Sequence, residues 1–592
     1  MADIKKPKVD VVVVGMGWTG ALTAMELTSA GLNVVALERG GDRDTKPDFS
    51  YPRIADELTY ALRYRLFQDF SKETCTLRYG PNDTALPYRA YGAFLPGDGV
   101  GGAGSHWNGM LYRSLPEELN LRSYVTEKFG ASLIPEDMTI QDYGVTYDEL
   151  EPFYDKFEAI CGTSGSAGVI NGKVTGKGNP FEGSRSGEYP LPPLKDNVAQ
   201  QIFAKAAKEV GYHPYAAPSA LTSEVYTNPY GMQMGPCTYC GYCERFGCYN
   251  YSKASPNVCV MPALRLRDNF ELRVNSYVTK VNLDNTKKKA TGVTYIDAQG
   301  RTVEQPADLV VLCAYQFHNV RLLMLSGIGE QYDPVTGKGT VGKNYAYQVG
   351  AGYTLFYDEK TQINTFMGTG AAGQAFDDLN TSQLDMGKIG AIGGSVVRLN
   401  VTGGRPIGQM HLPPGAPKWG AGWKQAIKDN YLTSVSFGIS TSSMAYRNCY
   451  LDLDPTYKDS HGLPLLRMTF NFNDNDLKVA QDALKQSKKV AEAMDAKQIV
   501  GAAKPLGSKF DLRPYQSTHN TGGAIMGTTP ENSVVNKYLQ SWDVPNVFVM
   551  GASAFPQNRA YNPTGPLAAL TLFSLHHITT QYLKNPGALI QA

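Results

Sequence analysis

The sequence has no run of about 20 consecutive apolar residues, the length a membrane-spanning helix needs, which excludes a helix that crosses a bilayer. Histidine and tryptophan are scarce, at eight and five residues, and only nine cysteines occur in 592 positions. So few cysteines exclude the disulfide framework that replaces a core in small secreted domains. An excess of either charge is also missing: 56 Lys and Arg face 55 Asp and Glu, a formal net charge of +1. A nucleic-acid partner held by a broad basic surface is thereby excluded, and no charged tail or internal repeat is present. The first apolar stretch, Val11 to Val14, is too short for the core of an export signal. On its own terms the N-terminus reads as that of a cytoplasmic chain.

What is present is a core-forming composition, 42% hydrophobic, with 61 Gly and 36 Tyr. At roughly 100–200 residues per domain the length suits several domains, and the loop-rich, aromatic-rich composition suits a large enzyme. Asp10 to Val14 is a β-branched run that predicts a buried strand. Gly15-Met-Gly17-Trp-Thr-Gly20 follows, then helical spacing over Ala21 to Ala30, then a second strand over Asn33 to Leu37, closed by Glu38. This is a β-α-β unit with a dinucleotide fingerprint. Gly15 permits the tight turn, Gly17 admits a pyrophosphate to the helix N-terminus, and Gly20 lets helix and strand pack closely. Glu38, eighteen residues beyond Gly20, suits the hydroxyls of an adenosine ribose and disfavours a 2′-phosphate, leaving FAD and NAD as candidates.

Further along, a glycine-dense stretch runs from Gly97 to Gly109, and residues 162–195 read as a long surface excursion. Helical spacing covers Val198 to Val210. Glu271 to Val281 and Ala290 to Ile296 predict strands around a turn at Asn285–Lys289, and Ala307–Leu312 predicts another buried strand. From about 345 to 500, alternating segments at Val349–Tyr357, Tyr431–Ser440 and Leu465–Phe472 predict an antiparallel sheet, followed by a helix over Asn475 to Met494. The α/β character returns with a strand at Val547–Met550 and a helix over Thr564 to Tyr582. Cys237, Cys240, Cys243 and Cys248 fall within twelve residues, and the other five cysteines are scattered. Thiolates so spaced suit an iron–sulfur cluster, a zinc ion or two disulfides.

Four segments in this order resemble the glucose–methanol–choline (GMC) flavoprotein oxidoreductases. They are the fingerprint, the Gly97–Gly109 stretch, the 307–329 strand-helix ending Ser326-Gly-Ile-Gly329, and Asn562-Pro-Thr-Gly565. Within the family, Tyr143 to Tyr154, Leu451–Tyr457 and Leu539 to Pro556 are similar to the large flavoprotein subunits of bacterial membrane-bound dehydrogenases that oxidise gluconate. The chain departs from the family pattern at Ala103 and Gly104, where Thr and Ser are common, and at Tyr315-Gln316, where the segment usually begins with Gly.

The resemblance implies an α/β fold (α+β overall), a Rossmann-like FAD-binding domain of the GMC type with an inserted antiparallel-sheet substrate domain. Residues 1–345 and 505–592 would form the discontinuous FAD-binding domain, including the cysteine loop at 237–248. Residues 346–504, with part of 110–195, would form the substrate domain. It implies FAD contacts at Gly15, Gly17, Gly20 and Glu38, at Gly101, Gly102, Ser105, His106 and Asn108, and at Val278, Ala552, Pro563 and Thr564. His519, in Ser517-Thr-His-Asn-Thr-Gly-Gly523, matches the family's catalytic histidine, a base expected to have a pKa near neutrality; Asn562 would orient the substrate hydroxyl. His106 would link covalently to the flavin 8α-carbon. Cys237, Cys240, Cys243 and Cys248 would hold an iron–sulfur cluster, three-iron (3Fe-4S) ahead of four-iron (4Fe-4S).

The expected reaction is oxidation of a sugar acid, D-gluconate to 2-keto-D-gluconate, with fructose, sorbitol or 2-ketogluconate as alternative substrates. Electrons would pass through the cluster to a multihaem cytochrome c subunit and then ubiquinone. A small subunit carrying an export signal would bring the complex to the periplasmic face of the inner membrane, against the plain reading of the N-terminus. The competing expectation is a non-catalytic nucleotide-binding assembly subunit with structural zinc.

Overall fold

A computed structural model describes residues 3–49, 65–89, 93–363, 367–401 and 411–591. The opening unit is β1 (Val9–Val14), α1 (Trp18–Ser29) and β2 (Val34–Leu37). Val11, Val12 and Val13 have no exposed surface, as expected of a parallel strand covered on both faces. Next come α2 (Gly102–His106), in the glycine-dense stretch, and α3 (Tyr147–Cys161), which opens on a reciprocal Thr146–Glu149 cap.

The predicted strand Glu271 to Val281 is two strands, β3 (Phe270–Arg273) and β4 (Tyr277–Leu283). The chain turns between them at Asn275, whose φ is 50°. The halves then serve different partners: β3 lies parallel to β2, while β4 forms an antiparallel pair with β5 (Ala290–Ile296). The following strand, β6 (Thr302–Leu312), is longer than its apolar half predicts. Its first residues pair antiparallel with β5 and its last six lie parallel to β1. It leads into α4 (Gln316–Ser326).

The second sheet comprises β7 (Val349–Phe356), β8 (Gly373–Phe376), β9 (Ser395–Asn400), β10 (Ser434–Thr441) and, after α5 (Asp474–Ala493), β11 (Gln498–Ala502). Its order is β11-β7-β10-β9-β8, antiparallel throughout, with Tyr215–Ala216 on the far edge of β8. Helices Val198–Glu209 and α5 cover one face, burying Phe203, Val397, Leu399, Phe437 and Val490 together. The predicted strand at Leu465–Phe472 is not in this sheet. Pro464–Thr469 pairs with Tyr450–Lys458 and, in parallel, with Cys75–Arg78. Alternation identifies a strand but not its neighbour.

The chain then returns to the first sheet with β12 (Val547–Val549), giving a parallel order β3-β2-β1-β6-β12. α6 (Thr564–His577) packs against α1 and α3, and its continuation Ile578–Tyr582 is π-helical. No helix among the described residues is long and apolar enough to cross a membrane.

Residues 162–195 are not a loose excursion. Arg185 is buried and donates to both carboxylate oxygens of Glu158 on α3, and Arg113 grips the same carboxylate at 2.9 and 2.8 Å. Arg113 also reaches Glu151 at 3.1 Å and Asp155, so one face of α3 presents three acids to two buried guanidinium groups. Burial alone would raise the Glu158 pKa, but Arg113 and Arg185 hold it down at about 2. The carboxylate therefore stabilises the fold fully above its ordinary value of 4.5 and loses that contribution as pH falls toward 2. Glu158→Gln should destabilise the protein by about 3–5 kcal/mol, because two buried cations lose their shared partner. Denaturant melts at pH 7 measure the loss, and the variant should lose less stability than the parent between pH 4.5 and 3.

Candidate active site

The ends of β1 and β6 and the start of α1 meet at Gly15. With φ at 94°, a Cβ there would stand 2.6 Å from the Cys313 carbonyl oxygen. A Cβ on Gly20 would lie 1.9 Å from the Gly15 oxygen, so Gly20 sets the strand–helix approach and does not line the adjoining cavity. That cavity, about 340 Å³, is bordered at one end by Gly15, Gly17 and Glu38. Glu38 is buried, and its carboxylate accepts the Met16 and Gly40 backbone N–H groups, each at 2.9 Å. The lone pairs left over are the ones available to a ribose.

The glycine-dense stretch forms the next wall through Gly102, His106 and Asn108. Gly101 and Ser105, predicted as cofactor contacts, are not among the residues that line the cavity. The Ser105 hydroxyl donates to Asn257 Oδ1 at 2.7 Å, and a Cβ on Gly101 would strike both of those groups. Gly104 has a local reason: a Cβ there would lie 2.7 Å from the indole of Trp18, so the large residue in the fingerprint requires the small one in the loop. Tyr315, where the family pattern has Gly, sits at φ 73° and ψ 160°, a region other residues avoid at a cost of about 1–3 kcal/mol. Its hydroxyl accepts from Asn520 Nδ2 at 3.2 Å, which helps to anchor it.

His106 is buried, and burial, then the nearby Lys253, pushes its pKa down to about 3. Its Nε2 has no hydrogen-bond partner among the described residues. Trp18 Nε1 and Gln316 Oε1, in the walls of the same cavity, are likewise unpartnered. Buried polar atoms are rarely left so, and three around one cavity mark the seat of a polar ligand. The Trp18 N–H donor, the Gln316 acceptor, the Glu38 carboxylate and the helix N-terminus fit a flavin dinucleotide.

The far end of the cavity holds His519 and Asn562, with Val278, Ala552, Pro563 and Thr564 along its sides. His519 Nδ1 lies 2.5 Å from Gln348 Oε1, and its Nε2 lies 3.0 Å from Asn562 Nδ2. Gln348 donates its amide N–H groups to the Arg559 and Ala560 carbonyls at 3.0 and 2.8 Å, so its oxygen must face the imidazole. Arg398 Nη1 donates to Asn562 Oδ1 at 2.7 Å, which turns the amide nitrogen of Asn562 toward the ring. The two amides together assign the tautomer: Nδ1 carries the proton and Nε2 keeps its lone pair. Burial, then the Arg398 charge, pushes the His519 pKa down to about 3, well below the near-neutral value expected from the chemistry. At neutral pH the imidazole is therefore unprotonated, with its Nε2 lone pair on the cavity side.

None of the nine cysteines forms a disulfide. Cys237, Cys240, Cys243 and Cys248 share one loop, but among the described residues no three His, Cys, Asp or Glu side chains converge as a single metal ion requires. Backbone N–H groups of Tyr239 and Lys253 point at the sulfurs of Cys237 and Cys248, each at 3.4 Å. Lys253 itself has no exposed surface, and its ammonium donates to the carbonyls of Trp107, Cys243 and Phe246. Arg245 N–H donates to the His106 carbonyl at 2.7 Å. The cysteine loop and the His106 loop are thus tied together. Gln348, Arg398 and Lys253 were missed by sequence reasoning. Nothing marks them in the primary structure, since each is a polar residue inside an ordinary alternating or loop segment.

Family models for GMC oxidoreductases match residues 141–349 and 445–571, and the chain belongs to that family of FAD-dependent enzymes acting on CH–OH groups. It is 56% identical to the gluconate 2-dehydrogenase flavoprotein of Pantoea cypripedii, over 99% of this chain and 96% of that one. It is 24% identical to the fructose dehydrogenase large subunit of Gluconobacter japonicus, over 95% of this chain and 96% of that one. Among solved structures, pyridoxine 4-oxidase superposes with a TM-score of 0.61 at 16% identity, covering 98% of this chain and 100% of that chain, a likeness of fold. The non-catalytic assembly reading is set aside by this membership.

His519→Ala or His519→Gln should lower turnover by about 10²–10⁴ while flavin content, read from the visible spectrum, stays unchanged. Because the base is unprotonated down to about 3, kcat/KM of the parent should show no histidine inflection between pH 5 and 7.

Proposed function

We propose that this chain is the flavoprotein subunit of a membrane-associated dehydrogenase that oxidises D-gluconate to 2-keto-D-gluconate. The 56% identity to the gluconate 2-dehydrogenase flavoprotein, over almost the whole chain, carries the reading. The fixed array of His519, Asn562 and Arg398 supports it. FAD, when bound, supplies the acceptor for the hydride of the alcohol carbon. The rest belongs to the chain. Asn562 Nδ2 donates to the substrate hydroxyl oxygen, and His519 Nε2 takes the hydroxyl proton. Gln348 Oε1, already bonded to Nδ1–H, stabilises the imidazolium that results.

His106, neutral and with Nε2 unpartnered, is the residue that would hold the flavin through its 8α-carbon. Cys237, Cys240, Cys243 and Cys248 would hold an iron–sulfur cluster, three-iron ahead of four-iron. The N–H groups aimed at two sulfurs and the buried Lys253 cation suit a thiolate-ligated cluster of negative charge. Electrons would leave through it to a multihaem cytochrome c subunit and ubiquinone, at the periplasmic face of the inner membrane. A small subunit carrying the export signal would bring the complex there.

Substituting Cys243 or Cys248 should leave gluconate-dependent bleaching of the flavin intact while stopping haem reduction in the partner. A parent complex that reduces haem fully with no iron beyond its haem would refute the cluster. Acid precipitation should leave yellow colour in the pellet, and a peptide containing His106 should carry the mass of FAD; flavin wholly in the supernatant would refute the covalent link.

A further inference from the structure

Four arginines border the cavity: Arg39, Arg245, Arg321 and Arg398. Three of them are ion-paired within the protein. Arg39 and Arg321 share Glu73, with Arg321 also on Asp459, and Arg245 pairs with Glu244. Arg398 makes no ion pair among the described residues, and its assigned bond runs to the neutral Asn562 amide. It projects from β9 on the face opposite the helices, partly exposed between the buried Val397 and Leu399. Its cross-strand neighbours are Ala375 on β8 and Gly438 on β10, the two smallest residues available, and a Cβ built on Gly438 meets nothing within 4 Å. The guanidinium therefore meets the Tyr112 hydroxyl and the Asn562 amide but no acid among the described residues.

Its position relative to the base is fixed. Arg398 Nη1 is 2.7 Å from one end of the Asn562 amide, and His519 Nε2 is 3.0 Å from the other. A hydroxyl bound between Asn562 Nδ2 and His519 Nε2 therefore lies a single amide's width from a positive charge. A carboxylate on the same carbon as that hydroxyl spans this gap; a carboxylate several carbons away does not.

We propose that Arg398 is the specificity-determining residue of the site, an anchor for the carboxylate of a 2-hydroxy acid, and that it directs oxidation to the carbon bearing that carboxylate. This rests on the sugar-acid reading above and deepens it. Neutral polyols such as fructose and sorbitol would leave the cation unpaired, and 2-ketogluconate, which has no hydroxyl beside its carboxylate, would not be oxidised at that carbon.

The test compares D-gluconate with D-gluconamide, which keeps every hydroxyl and removes only the charge, using the flavin-loaded complex and an artificial electron acceptor. The parent should prefer gluconate by about 10–150-fold in kcat/KM, the worth of a hydrogen bond to a charged group. Arg398→Gln should collapse this preference toward unity, chiefly through the KM for gluconate. Any loss of Asn562 orientation would slow both substrates alike and cancel in the ratio. Arg398→Lys, which keeps the charge, should retain part of the preference. Equal use of both substrates by the parent, or an unchanged preference in Arg398→Gln, would overturn the anchor while leaving the dehydrogenase reading in place. Failure of gluconate to bleach the flavin at all would overturn that reading, and the anchor with it.

Discussion

The chemistry of the site depends on the orientation of one amide. Gln348 gives both of its N–H bonds to the carbonyls of Arg559 and Ala560, and only its oxygen remains for His519. A rotated amide would put a donor against Nδ1, and the imidazole would have to turn its proton toward the cavity. Nε2 would then meet the cavity as a donor, and the proton-accepting role proposed for it would be lost. The carbonyls that fix Gln348 come from the segment that also carries Asn562, so the two amides that flank the His519 ring share one support.

Electrostatics reinforce this arrangement. Burial and the Arg398 charge both disfavour imidazolium, so His519 waits neutral. In the role proposed for His519, lowered basicity would weaken the driving force for proton transfer, and the Nδ1–Gln348 bond would offset part of that loss. At the other edge of the cavity His106 is kept neutral by the same means, burial and neighbouring cations. Two histidines in one cavity therefore share a protonation state. They differ in what surrounds Nε2: an amide donor at His519, and at His106 no partner among the described residues.

Much of the frame was legible in the sequence because local signals sufficed. Strand, glycines, helix and Glu38 fall in register within the first forty residues, and their packing follows from van der Waals limits at Gly15 and Gly20. The break at Asn275 and the destination of Pro464–Thr469 were not legible, since a polar turn inside a strand and the choice of a strand's neighbour are set by tertiary contacts. His519 and Asn562 could be picked out by motif resemblance. Arg398 could not, because an arginine on an alternating strand has the pattern of any solvent-facing residue until the sheet is placed. Arg185 misled in the opposite sense: its segment reads as polar surface, and the residue is buried because α3 brings an acid to meet it.

The cavity walls also set an order of events during synthesis. The fingerprint, the His106 loop and the cysteine loop are made first, whereas His519, Ala552 and the Asn562–Thr564 wall emerge from the ribosome more than 250 residues later. β12, the last strand of the first sheet, and α6, which packs across α1 and α3, arrive with them. A nascent chain can shape the dinucleotide end of the site long before it can enclose the reactive end. A chain that stopped short of His519 would lack that wall and leave this end of the cavity open to solvent.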